Sequence, residues 1–203
     1  MSLDTLIENI VGKELRMFVA VPSEQPASCQ EDPESFRVFR SAQFAVWSEE
    51  TLTSYLNDLE RAESQGKNLM TLKYARMDNL IAELHEDPEI HQLIDTIVTI
   101  ETKWQKQMVS KYPSLMKRAR VIDDQHQDDR FTSFQKYLRA ELETFSDNTL
   151  RHLQQDVTEY EGANKSMAQS MYDLMVKDLG YADLAEAEAQ CKQEIETYAC
   201  RGC

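Results

Sequence analysis

The stretch SFRVFRSAQFAVWSEETLTSYLNDLERAESQGKNLMTLKYARM, residues 35–77, decides the fold because it returns. At a constant offset of 98 it becomes SFQKYLRAELETFSDNTLRHLQQDVTEYEGANKSMAQSMYDLM, residues 133–175, with 11 of 43 positions identical. Ser48/Ser146, Thr51/Thr149, Leu52/Leu150, Asp58/Asp156 and Tyr74/Tyr172 are among the identities, and Trp47 lies over Phe145. A second block, Leu6–Val21 over Leu93–Met108 at offset 87, repeats Leu6, Ile7, Ile10, Val11 and Glu14. Unrelated sequences agree at roughly one position in fifteen, so the chain carries an internal duplication, with eleven extra residues in its second copy.

Working outward, the punctuation between apolar residues is helical. Asp32-Pro33-Glu34 reads as N-cap, N1 proline and acidic first turn, opening a helix over about 33–46. Ser48 caps the next, and in the second copy Thr132 and then Ser146 are the expected caps. Further helices are expected over about 67–86, from Asp87-Pro88 to Tyr112, over about 163–179 stopped by Gly180, and over about 182–199. Gly66 and Gly162 mark the ends of the second helix of each pair. No segment alternates with the period of two that a strand needs. The expectation is an all-α, single helical domain built of two duplicated halves of about four helices each, related by a pseudo-twofold. Repeat A covers about 5–86 and repeat B about 88–180, with a C-terminal helix and cysteine tail at 181–203.

Bulk composition agrees. The 203 residues are 41% hydrophobic and 29% charged, with only 5 Gly and 5 Pro. A net charge of −14 argues against nucleic acid and anionic membranes, since phosphate binding needs clustered Lys and Arg. The start, MSLDTLIENIVGKEL, has no cationic region before an apolar run, so no signal peptide is expected, and no stretch is long enough to span a bilayer. Three of the four cysteines, Cys191, Cys200 and Cys203, crowd at the end, which suits reduced thiols and a cytoplasmic location.

Polar residues fall where a core is expected. Phe36, Arg40, Gln43 and Trp47 form one helical stripe, duplicated as Phe134, Leu138, Glu141 and Phe145. Facing stripes would bring Arg40 to Glu141. In one reading this is a buried ion pair fixing the register of the halves. In the other it belongs to a ligand cavity walled by Trp47, Tyr74 and Tyr137, with Arg40 taking a carboxylate or phosphate and Glu141 orienting it or acting as a base. Lys73 and Arg76 read as solvated helix charges.

Other motifs fall short. No Glu-x-x-His occurs, so a di-iron bundle site is not indicated. Arg120 to His126 has the Arg-x5-His spacing of helical HEPN ribonucleases, but inside an acidic loop. Cys200-Arg201-Gly202-Cys203 is half a zinc site, to which Cys191 could add a third thiolate, while a frayed tail is the plainer reading. Cys29 is a lone loop thiol. No cofactor is expected.

Several of these segments resemble one family. Ala27-Ser28-Cys29-Gln30, Ser35-Phe36 through Arg40-Ser41-Ala42-Gln43-Phe44, Trp47-Ser48-Glu49-Glu50, Asn68-Leu69 and Lys73-Tyr74-Ala75-Arg76-Met77 fit it. So do Thr132-Ser133-Phe134, Tyr137-Leu138-Arg139-Ala140-Glu141-Leu142 and Thr144-Phe145-Ser146. They are similar to an uncharacterised prokaryotic family, domain of unknown function 4125, over about residues 5–182. The resemblance implies a bacterial or archaeal cytoplasmic protein and brings no activity with it. It marks Cys29, Arg40, Gln43, Trp47, Tyr74, Arg76, Arg139 and Glu141 as lying inside matching motifs. Three functions remain open at this point: an interaction or regulatory module with a protein partner, a small-molecule binder or enzyme working at the seam between repeats around Arg40, Gln43, Trp47 and Glu141, and a metal or redox role for Cys191, Cys200 and Cys203.

Overall fold

The computed structural model describes residues 2–22, 32–122 and 132–201. Its described residues are all-α, without a strand. Nine α-helices follow in order: α1 (Leu3–Val19), α2 (Pro33–Phe44), α3 (Glu49–Ser64), α4 (Leu69–Met77), α5 (Pro88–Lys111), α6 (Phe134–Leu142), α7 (Asp147–Gly162), α8 (Met167–Asp178) and α9 (Leu184–Arg201). A short 3-10 turn, Leu115–Arg118, lies between α5 and α6.

Local chemistry sets these boundaries. Each of α1 to α8 opens on a Ser, Asp or Asn whose side chain accepts a first-turn backbone N–H: Ser2, Asp32, Ser48, Asn68, Asp87, Ser133, Ser146 and Ser166. The cap of α6 is therefore Ser133, one residue later than the expected Thr132. Four helices stop on a left-handed residue. Gly66 and Asn164, which share an alignment position, end α3 and α7, while Asn79 and Gly180 end α4 and α8. Gly162, expected near the end of its helix, is the last residue of α7, and Asn164 makes the left-handed turn two residues on.

The helix expected over 67–86 is the main correction. It ends at Met77 because Asn79 turns left-handed and Leu80 N–H closes back on Ala75 O at 2.8 Å. The connector that follows is held by side chains: Arg76 Nη1 donates to Ile81 O at 3.0 Å, and His85 Nε2 meets Phe145 O at 3.0 Å.

In the packing, α1 lies on α2, α3 and α4, and α5 lies on α6, α7 and α8. The first four helices meet the second four mainly where α3 lies on α7, α2 on α8 and α4 on α6. Ile10, Phe44, Leu52, Leu59, Ile90, Leu142, Leu150, Val157 and Val176 are fully buried in one continuous core. Tyr55 and Phe145 meet there with ring centroids 4.6 Å apart, and Trp47 crosses Phe145 edge-on at 6.0 Å.

At the α3–α7 contact each helix is capped by the other. Asp156 Oδ2 accepts from Ser48 N at 3.0 Å and Thr51 Oγ1 at 2.6 Å. Asp58 Oδ2 accepts from Ser146 N at 2.9 Å and Thr149 Oγ1 at 2.6 Å. The two carboxylates lie at opposite ends of one interface and face the positive ends of each other's helices.

Candidate functional site

The most concentrated chemistry lies in the core, where α1, α2, α3, α4 and α6 converge. Each helix sends in one polar side chain: Glu14, Arg40, Tyr55, Lys73 and Glu141, none more than 3% exposed. Arg40 is the hub. Its Nε donates to Glu14 Oε2 at 2.6 Å, and Nη2 donates to the other Glu14 oxygen. Its Nη1 reaches Gln43 Oε1 and Glu141 Oε1, both at 2.8 Å. Lys73 Nζ takes the remaining Glu141 oxygen at 2.6 Å, and Tyr55 OH donates to Glu14 Oε1 at 2.5 Å. Two carboxylates and two cations leave no net charge in the cluster.

Aromatic faces complete the shell. The Arg40 guanidinium lies 4.7 Å from the Phe44 ring centroid, and Lys73 Nζ lies 3.7 Å from that of Tyr137. The Arg120 guanidinium is also stacked on Tyr137, at 4.2 Å.

Electrostatics follow from the geometry. Burial opposes ionisation of Glu141, but Arg40 and Lys73 outweigh it and hold its carboxyl at about 2. Burial equally disfavours the Arg40 charge, and Glu14 and Glu141 more than restore it, so the guanidinium titrates well above its ordinary range. Burial first, and then the Glu14 charge, push the Tyr55 phenol well above its usual value. A carboxylate held this low is a poor proton acceptor near neutral pH, and the phenol stays protonated. The cluster's chemistry is mutual neutralisation.

Of the residues singled out by sequence, Arg40, Gln43 and Glu141 come together here, with Tyr137 against Lys73. Lys73, expected in solvent, is instead 2% exposed, and Arg76 pairs through Nε and Nη2 with Glu143 at 2.5 and 3.0 Å. Trp47 is 7% exposed within the aromatic core, and Tyr74 stacks on Phe18 at 6.2 Å. Arg139 pairs with Asp95 at the surface. Cys191 is a buried free thiol of α9. Cys200 lies near the end of that helix, and Cys29, His126 and Cys203 lie outside the described residues. Among the described residues no three His, Cys, Asp or Glu side chains gather as a metal-ligating group, and no helix is long and apolar enough to cross a membrane.

Sequence reasoning missed Glu14, Tyr55 and Lys73 as members of the cluster. A signal existed: at an offset of 98, Arg40, Tyr55 and Lys73 align with Leu138, Leu153 and Met171, so each is matched by an apolar residue.

Two surface grooves lie away from the cluster. One, of about 390 Å³, runs along α3 and α7 past Glu50, Asn57, Asn148 and His152. The other, of about 530 Å³, follows α5 past Thr102, Lys103 and Lys106 to Gln135. Neither is lined by a cluster residue.

The family model for a protein of unknown function, DUF4125, matches residues 4–189. The chain belongs to that family. The match takes in every member of the ion cluster and both reciprocal caps, and stops within α9. No curated protein and no solved structure matches this DUF4125 chain.

Proposed function

We propose that this DUF4125 chain is a cytoplasmic interaction or regulatory module with a protein partner. In this reading its two duplicated four-helix halves are related by a pseudo-twofold axis and locked by the central ion cluster. The single observation that carries the reading is the state of that cluster. Arg40, Lys73, Glu14 and Glu141, the groups best suited to read a small ligand, are buried and bonded to one another. Recognition then falls to the surface, whose acidic excess suits a partner with a basic face. The pseudo-twofold is supported by the reciprocal Asp58 and Asp156 caps and by the alignment of Gly66 with Asn164 at helix ends.

Native mass spectrometry of freshly purified protein, with elemental analysis of the same sample, tests the function. A clean protein mass, followed by capture of a defined protein partner whose binding weakens with salt, is the expected result. A copurifying small molecule, a stoichiometric metal, or turnover by the isolated chain would overturn it.

A further inference from the structure

We draw no further inference here: the strongest candidate, the donor-lined groove between α5 and the first turn of α6, rests on surface lysines, one of them already paired with Glu161, and nothing in the structure shows what fills it.

Discussion

Glu141 serves two cations at once, one oxygen to Arg40 and the other to Lys73, and is the only member of the charge cluster carried by the second four helices. Replacing it with Ala leaves the buried Lys73 ammonium without a carboxylate and Arg40 with Glu14 alone, so Glu141→Ala is expected to cost about 3–5 kcal/mol in chemical denaturation. Arg40→Ala should cost a similar amount, whereas Gln43→Ala, which removes one neutral partner, should cost about 1 kcal/mol. A small effect of Arg40→Ala on stability would point back to a ligand role. Glu101, the aligned counterpart of Glu14, shows the opposite case. It keeps some exposed area, yet its carboxyl is enclosed by protein, and burial raises it from 4.5 to about 7. A raised folded value means the neutral acid contributes its full stability below about pH 4.5 and loses it as pH rises through 7. Glu101→Gln should therefore gain about 1–3 kcal/mol over the parent at pH 8 relative to pH 4, read from paired denaturation curves. The Arg40–Glu141 contact was legible because the two aligned stripes are both inward. Lys73 was not, because one helix read alone leaves a lysine beside an arginine looking solvated. Comparison with Met171 is what shows that its position faces inward.

At the scale of elements, helix starts were far more legible than helix ends. A cap is a short-range bond between a side chain and a backbone two or three residues on, so Ser48, Asp87 and Ser146 could be read directly. The end of α4 depends on one asparagine choosing a left-handed conformation within Asp78-Asn79-Leu80-Ile81-Ala82-Glu83, a sequence free of Gly and Pro. The connector's bonds to Arg76 and to the Phe145 carbonyl come from elsewhere in the chain, beyond any local pattern. Asn79→Gly should be tolerated and Asn79→Ala should cost about 1 kcal/mol in thermal unfolding, because alanine pays the left-handed penalty. The reciprocal caps are a longer-range device. Asp58→Ala removes the side-chain acceptor of Ser146 N–H and of two hydroxyls, and should cost about 1.5–3 kcal/mol. Fraying should appear as faster amide exchange in the first turn of α7 rather than in α3, which carries the substitution.

For the whole molecule, the all-α class was readable from periodicity and caps. The convergence of five helices on one neutral cluster was not, since it depends on contacts such as Lys73–Glu141, 68 residues apart. The C-terminal region divides in two. Leu184, Ala187 and Cys191 are buried, and Glu188 accepts from Ser114 N at 3.0 Å and Leu115 N at 2.7 Å. Ending the chain at Ala199 should leave thermal unfolding unchanged, whereas ending it at Asp183 should lower the midpoint by several degrees, about what 1–2 kcal/mol does to a domain of this size.

The exchange of caps between α3 and α7 also bears on assembly. A fragment bearing α3 carries both the Ser48–Thr51 receptor and the Asp58 that fills such a receptor, so its surface is its own complement. Two copies of the first half could close on each other as an isologous pair. On the proposed axis, however, Gln43 would then stand where Glu141 stands, and two buried Lys73 ammonium groups would face no carboxylate. The hydrogen bonds alone would let a half pair with itself, and the charges select its covalently linked sibling.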